Sequence, residues 1–245
     1  MFDLAWDQIS HEISYRKSGK MYPMKVTMGV IPSEKLVRYD RSLQRPIKQD
    51  KDGGTTMDMS PSDMEEALFN EYFRALHISG KLTPGTPEEV LKKIPVEVKR
   101  ATIREGVGGV FPVEEEKGEE GTLDSILELD NSISITARAN GQEHVLTHHL
   151  KEPLAEHELA YRKATAGSLK TLPGRKRTEF MVVEDFNVYG KLYDALVERV
   201  EGYCENGAPF DPLHISQIPY IHKKVVIKQL FGAASIQEVE EGQGF

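Results

Sequence analysis

A group of histidines and glutamates in the second half of the chain contains the residue types that could support metal chemistry. The group consists of His144, His148, His149, Glu152, Glu156, His157 and Glu158. A catalytic zinc site needs three such ligands directed at one point, with a fourth position left open. His148 and His149 are neighbours on a predicted strand, so their side chains point to opposite faces. We therefore predict no metal and no cofactor. A small metal-dependent hydrolase using His148, Glu152 and His157 remains an alternative.

Nucleophilic chemistry has weaker support in the sequence. Cys204 is the only cysteine, which excludes an intrachain disulfide and a cysteine metal cluster. It has no histidine or glycine-rich oxyanion loop beside it in sequence, so we predict a buried thiol. Residues 52–56, Asp-Gly-Gly-Thr-Thr, lack the lysine and the strand–helix context of a phosphate-binding loop. The sequence therefore predicts a protein that is not an enzyme.

Clustered basic residues are the strongest candidates for binding a partner. They are Lys99, Arg100, Arg104, Arg175, Lys176, Arg177, Lys223, Lys224 and Lys228. Because contacts to phosphate supply most of the affinity for nucleic acid, an adaptor that uses residues 175–177 with Lys223, Lys224 and Lys228 is one alternative. The net charge of −8 argues against attraction of nucleic acid to the whole surface. We therefore favour protein partners over nucleic acid.

The basic pairs at Lys99 and Lys223 belong to a pattern that occurs twice. Residues 13–19 recur at residues 135–141, 122 positions later, and residues 94–104 recur at residues 218–228, 124 positions later. Both members of the second pair open with Ile-Pro and carry two adjacent basic residues. Self-similarity at a nearly constant spacing is typical of a duplicated structural unit.

The repeat predicts two tandem modules, at residues 1–111 and 132–245, with an acidic linker at residues 112–131. The predicted class is α+β and helix-rich, with a β-hairpin and three to four helices in each module. A content of 39% hydrophobic and 29% charged residues is typical of a soluble globular protein. No apolar run approaches the ~20 residues of a membrane span, and the first residues lack the regions of a signal peptide. We therefore expect no membrane association and a cytoplasmic protein.

Each module opens with alternating residues around a tight turn, at Ser18-Gly19 and at Asn140-Gly141. Such pairs favour a two-residue hairpin turn, in which both residues need a positive φ. The strands are expected to end near Pro32 and Pro153, and a short helix follows each of them. A two-stranded hairpin is marginal alone and needs a further partner.

Later helices are predicted from caps and from apolar spacing. Ser60-Pro61 favours a helix start, and residues 64–76 and 192–200 carry helical apolar stripes. Thr86 and Glu89 form a capping box, and Asp211-Pro212 occupies the matching place in the second module. The last helices are expected to end at the glycines that stand at positions 108 and 232.

The stretch from Leu150 through Pro153 to Tyr161, which follows the second hairpin, resembles the opening of tailed-phage tail-assembly chaperones and related small virion proteins. The resemblance implies a short β-element followed by helices, no active site, homo-oligomerisation, and virion or assembly proteins as partners. It also implies a location in the host cytoplasm during assembly, or in the virion. The tandem duplication and the acidic linker depart from that family. The expected function is a non-enzymatic structural or assembly role in a tail or neck.

Overall fold

The structure is a computed structural model of the 245-residue chain. It describes residues 1–43, 46–49, 55–57, 62–113, 131–165, 168–171, 179–183 and 187–241. Contacts divide the chain into two compact units. The N-terminal unit comprises Asp7–Val107 and Leu159–Val188, and the C-terminal unit comprises Met1–Trp6, Gly108–Glu158 and Tyr189–Phe245. Most of the predicted linker, residues 114–130, lies outside the described residues.

Fifteen strands and seven helices occur in the described ranges, which confirms the mixed α+β class. The strands are β1 (Phe2–Asp3), β2 (Gln8–Lys17), β3 (Lys20–Gly29), β4 (Pro46–Gln49), β5 (Thr55–Met57), β6 (Phe73–Ile78), β7 (Lys81–Leu82), β8 (Val110–Pro112), β9 (Ser132–Ala139), β10 (Gln142–Leu150), β11 (Ser168–Thr171), β12 (Glu179–Val183), β13 (Val197–Glu201), β14 (Tyr203–Glu205) and β15 (Ala208–Pro209). The helices are α1 (Ser33–Leu43), α2 (Ser62–Tyr72), α3 (Pro87–Leu91), α4 (Val96–Gly108), α5 (Ala155–Thr165), α6 (Asn187–Leu196) and α7 (Tyr220–Glu241). None of the helices in these ranges has the length and apolar character that crossing a bilayer requires.

The N-terminal unit contains two four-stranded antiparallel sheets, with strand orders β2-β3-β6-β7 and β11-β12-β4-β5. The second sheet combines strands from both halves of the sequence. The hydrophobic core lies against β3, where Val26 and Met28 pack with residues of α2 and α4. Phe69 and Phe73 stack in this core with ring centroids 5.4 Å apart. Alternate residues of β3 are buried, as expected for a sheet with one face on a core.

The C-terminal unit contains a four-stranded antiparallel sheet of order β13-β10-β9-β8 and a three-stranded sheet of order β1-β14-β15. In the latter, β1 runs parallel to β14. Alternation along β10 buries His144, Leu146, His148 and Leu150 on one face. This face is the floor of the candidate site.

The predicted hairpins are confirmed. Lys17 lies opposite Lys20 and Ala139 lies opposite Gln142, so each turn has two residues. All four turn residues have a positive φ, between 50° and 76°. The helices predicted after Pro32 and Pro153 also form, as α1 and α5.

The apolar stripes predicted as single helices change structure part-way. Helix α2 ends at Tyr72 and β6 begins at Phe73, while α6 ends at Leu196 and β13 begins at Val197. Each new strand pairs with the second strand of a hairpin, β3 or β10, and supplies the partner that a bare hairpin lacks. The helical prediction for residues 73–76 and 197–200 was therefore wrong, because a short apolar run fits both the period of a helix and that of a strand.

Three further predictions about helix ends have different outcomes. The capping box is confirmed, since the Glu89 amide donates to Thr86 Oγ1 and the Thr86 amide donates to Glu89 Oε2. The helix start at Asp211-Pro212 was wrong, because the Asp211 carboxylate accepts from the Leu213 amide in a turn before a 3₁₀ helix at Ile215–Gln217. The end at Gly232 was also wrong, because α7 continues to Glu241. Ser60 and Pro61 lie outside the described residues.

Gly202, between β13 and β14, is expected to tolerate no side chain. Its φ is +89°, and a Cβ atom there would lie 2.5 Å from the Val145 carbonyl oxygen. Gly207 has a similar φ of +75° but open space around it, so Gly207→Ala measures the backbone strain alone. We expect Gly202→Ala to lower the free energy of unfolding by about 2 kcal/mol more than Gly207→Ala, as measured by urea denaturation. Equal losses for the two variants would contradict this geometry.

Candidate functional site

Four buried side chains of the C-terminal unit form one hydrogen-bonded group, here called the histidine–tyrosine cluster. Its members are His148 on β10, Tyr193 on α6, Tyr203 on β14 and His222 on α7. Two sheet strands and two helices therefore each contribute one polar ring. The imidazoles are 0% (His148) and 2% (His222) exposed, so bulk water is excluded from them. Buried polar groups of this kind are almost always hydrogen-bonded.

The distances define a chain of hydrogen bonds through the cluster. Tyr193 Oη lies 2.7 Å from His148 Nδ1. Tyr203 Oη lies 2.9 Å from His222 Nδ1 and 3.4 Å from His148 Nε2. Donation in a single direction along the chain satisfies all three contacts, and either direction does so. In one of them Tyr193 donates to His148, His148 Nε2–H donates to Tyr203, and Tyr203 donates to His222. In this assignment both imidazoles are neutral and both phenols keep their protons.

Electrostatics favour the same neutral assignment. Burial lowers the pKa of His148 to about 3, and the neighbouring His222 and His149 act in the same direction. Burial alone lowers the pKa of His222 to about 3. Burial also raises the pKa of Tyr193 and the pKa of Tyr203 above their usual range. A general acid or base works best with a pKa near the working pH, so these groups are poorly matched to proton transfer at neutral pH.

The first residues of the chain close the cluster from outside. The Phe2 ring packs edge-on against His222 at 4.9 Å and against His144 at 5.8 Å. Trp6 packs against Phe2 and against His144, at 5.2 and 5.7 Å. The Phe2 amide donates to the Gly202 carbonyl at 2.8 Å, which fixes this segment as a strand. Phe2 therefore covers Tyr203 and His222 on this side, and Trp6 packs behind it.

The Asp3 side chain holds the same segment in place. Its carboxylate accepts from the backbone amides of Asn206 and Gly207 at 3.0 and 3.1 Å. These two amides belong to the turn between β14 and β15, whose residues have a positive φ. A carboxylate that accepts from two amides is a charge-assisted contact, so Asp3 anchors the strand that covers the cluster.

Apolar residues stand at the positions that the predicted repeat matches to three members of the cluster. Val26 lies 122 positions before His148, and Phe69 and Val98 lie 124 positions before Tyr193 and His222. All three of these residues lie in the core of the N-terminal unit. Sequence reasoning missed the cluster, although the exchange of apolar for polar residues at matching core positions was a signal that could have revealed it.

The metal alternative finds no geometric support in the described ranges, where no group of three or more histidine, cysteine, aspartate or glutamate residues could hold a metal ion. His148 is buried in the cluster, whereas His157 Nδ1 accepts from the Leu154 amide at 3.1 Å and Glu152 is exposed. His149 lies on the opposite face of β10 from His148, as predicted, and contacts Glu201 at 2.9 Å. Cys204 is buried, which confirms the predicted environment of the thiol.

The predicted partner-binding residues of the first module are engaged within their own unit. Lys99 Nζ donates to Asn70 Oδ1 at 3.0 Å. Arg100 contacts Glu66 at 3.0 Å. Arg104 binds the buried Glu65 carboxylate through two nitrogens, at 2.8 and 3.2 Å. These side chains hold α4 against α2, so a partner would have to compete with contacts that are already made. Their role in binding stays a prediction.

The basic residues of the second module are placed in a similar way. Lys223 is 7% exposed, and its ammonium group lies 2.6 Å from Asp194 Oδ1 and 5.1 Å from the centre of the Tyr193 ring. Lys228 lies over the Tyr189 ring at 5.8 Å, and Lys224 is half-buried on α7. Residues 175–177 lie outside the described residues.

Comparison of the chain with protein-family models, with curated proteins and with solved structures finds no match.

Proposed function

We propose that the chain is a tandem duplication of one α+β module. The strongest support is a shared irregularity in strand pairing. Thr27 and Met28 of β3 face Ala75 and Phe73, which leaves Arg74 as the extra residue of a β-bulge. His149 and Leu150 of β10 face Arg199 and Val197, which leaves Glu198 as the extra residue. The extra residues, Arg74 and Glu198, lie 124 positions apart, and the residues that face the bulges, Thr27 and His149, lie 122 positions apart. Bulges are typically retained within a family, so a matching position supports common descent.

A second set of contacts supports the same proposal. Lys99 reaches Asn70 and lies 6.0 Å from the centre of the Phe69 ring. Lys223 reaches Asp194 and lies over Tyr193. Each residue of the second set lies 124 positions after its counterpart in the first. A lysine that bridges a helix to a polar group and an aromatic ring therefore occurs in both halves.

From this architecture we propose a non-enzymatic role, in which the two modules act through protein–protein contacts as a structural or assembly component. The observation that carries this proposal is the closed, neutral state of the histidine–tyrosine cluster. This set of titratable rings is buried, and three of its four members are matched by apolar residues in the other module. A tail or neck component of a tailed phage is the specific role we propose, and it rests on the sequence resemblance after Pro153.

Co-expression tests this proposal. The tagged full-length chain would be produced together with the proteins encoded beside its gene, purified through the tag, and analysed by native mass spectrometry. We expect a complex of fixed stoichiometry with a virion or assembly protein. Recovery without such a partner would contradict the assembly role. A chain that shifts DNA in a salt-dependent manner would instead favour the nucleic-acid-binding adaptor.

A further inference from the structure

The outer edge of β2 is a long, regular strand edge. β2 pairs with β3 through ten consecutive residue pairs without a bulge, and no other described strand pairs with it. Natural proteins usually protect such an edge with proline, a bulge, charged side chains or a covering element, because its unpaired backbone groups attract another strand. β2 contains no proline, and its charged residues include both signs, with Glu12 acidic and Arg16 basic. In the described part of the chain, the segment of this edge from Glu12 to Arg16 is therefore suited to pairing.

The corresponding strand of the C-terminal unit has this edge covered. β8 pairs there with β9, and Phe111 lies opposite Thr136 at the centre. The Arg138 amide donates to the Gly109 carbonyl at 2.7 Å, and the Ser134 carbonyl accepts from the Val113 amide at 3.2 Å. Thr136 corresponds to Ser14, 122 positions earlier. The repeat therefore places the centre of a missing strand at Ser14.

The backbone of β2 is oriented to receive such a strand. Ser14 lies opposite Pro23 of β3, and the Pro23 carbonyl accepts from Ser79, on the far side from β2. Ser14 and Pro23 therefore form a non-hydrogen-bonded pair, and the amide and carbonyl of Ser14 point outward. Since this direction alternates along a strand, the backbone groups of Glu12 and Arg16 point outward as well.

We propose that β2 pairs with β2 of a second molecule of this chain, antiparallel and about a two-fold axis at Ser14. The choice of Ser14 as the centre of the contact rests on the duplication proposed above. In this register Glu12 of each molecule lies opposite Arg16 of the other, so two ion pairs form by symmetry. Ile13 of each molecule lies opposite Tyr15 of the other. The strand is therefore complementary to itself in both charge and apolar character.

The two faces of β2 match this arrangement. Ile13 and Tyr15 are partly buried and pack against the core of the N-terminal unit, whereas Glu12, Ser14 and Arg16 are exposed. Pairing would join two four-stranded sheets into one of eight strands, with the apolar pairs on the core side and the ion pairs in solvent. Because the contact uses the same edge on both molecules, it closes at a dimer.

Charge reversal in the full-length chain tests the register. We expect the wild type to dimerise in sedimentation velocity experiments over a concentration series. Glu12→Arg or Arg16→Glu alone places like charges opposite each other twice and should weaken the dimer by about tenfold or more. The double variant with both substitutions restores opposite charges and should recover most of the affinity. Glu143→Arg makes the same charge change at an exposed hairpin position of the other unit and should have no effect.

Ser14→Pro tests the backbone contact separately. Proline removes the outward amide, which has no partner within the hairpin, so the fold is expected to survive while the dimer is lost. Circular dichroism and thermal unfolding check the fold. A monomeric wild type overturns the proposal. If the Ser14 and Arg16 amides of that monomer also resist hydrogen exchange, another segment of the same chain covers the edge. The proposal is also overturned by a dimer that neither Glu12→Arg nor Ser14→Pro weakens. Because the assay contains only this chain, its result is independent of whether a virion partner is found.

Discussion

Acidification from about pH 7 to about pH 5 is expected to lower the free energy of unfolding of the C-terminal unit by about 4 kcal/mol. His148 and His222 have a pKa of about 3 in the folded chain and 6.5 in the unfolded chain. A depressed pKa means that the unfolded chain binds more protons throughout the window between these values. The stabilisation is therefore complete above the unfolded pKa and is lost progressively as the pH falls from 6.5 toward 3. Each imidazole contributes about half of the effect.

The groups around the cluster act on the same transition. Burial also lowers the pKa of His144, which faces Phe2 and Trp6, so its sign is the same. Lys223 and Asp194 form an ion pair beside Tyr193. In the N-terminal unit, burial lowers the pKa of His11 to about 4. Acidification to about pH 5 is therefore expected to lower the free energy of unfolding of this unit by about 2 kcal/mol.

Trp6 provides a selective readout, because it is the only tryptophan and belongs to the C-terminal unit. Urea unfolding followed by its fluorescence should show the midpoint falling steeply with pH. A variant that replaces all four rings of the cluster, with His148→Val, Tyr193→Phe, Tyr203→Phe and His222→Val, should lose most of this dependence. His149→Val, on the opposite face of the same strand, should retain it. A wild-type midpoint that stays constant between about pH 7 and about pH 5 would contradict the neutral assignment.

Arg104→Ala is expected to lower the free energy of unfolding of the N-terminal unit by about 3 kcal/mol. The Glu65 side chain is 1% exposed, and it accepts two hydrogen bonds from Arg104 and one from Tyr39 Oη at 3.1 Å. Removing Arg104 leaves a buried carboxylate without its counter-charge. The Arg104 side chain is 62% exposed, so water replaces part of the lost contact and the effect falls at the low end for a buried pair.

Two comparisons identify the cause of that loss. Arg100→Ala breaks the neighbouring contact with Glu66, whose two side chains are 35% and 31% exposed, and should change stability by about 1 kcal/mol or less. The double variant with Glu65→Leu and Arg104→Leu removes both charges and should recover much of the loss. Urea unfolding by circular dichroism, with hydrogen exchange of α2, measures these differences. Equal effects of Arg104→Ala and Arg100→Ala would show that the Glu65 carboxylate is not the sensitive group.

The parts of the fold that could be predicted from sequence are those that local chemistry decides. The turns at Ser18 and Asn140 follow from residues that accept a positive φ, and Pro32 and Pro153 mark where a strand gives way to a helix. β6 could not be predicted, because its apolar residues continue the spacing of α2. Only pairing with β3, more than 40 residues earlier in the chain, makes it a strand.

The candidate site was difficult to predict for a related reason. Its contacts join residues far apart in sequence: His148 is separated from Tyr193 by 45 residues and from Tyr203 by 55. Sequence spacing showed that Lys223 lies beside other basic residues but not that Asp194 would face it. The histidines drew attention because they are adjacent in sequence, whereas His222, which completes the cluster, lies on a helix formed by residues 220–241.

The placement of β1 has a consequence for the order in which the chain folds during synthesis. Phe2 and Asp3 are synthesised about two hundred residues before their partners on β14 and in the turn at Asn206, as the separation of 203 residues between Asp3 and Asn206 shows. The segment that covers the polar rings must therefore wait, without these partners, until β14 and the turn at Asn206 have been translated. Closure of the C-terminal unit is thus a late folding event, because it requires a loop of about two hundred residues to form first.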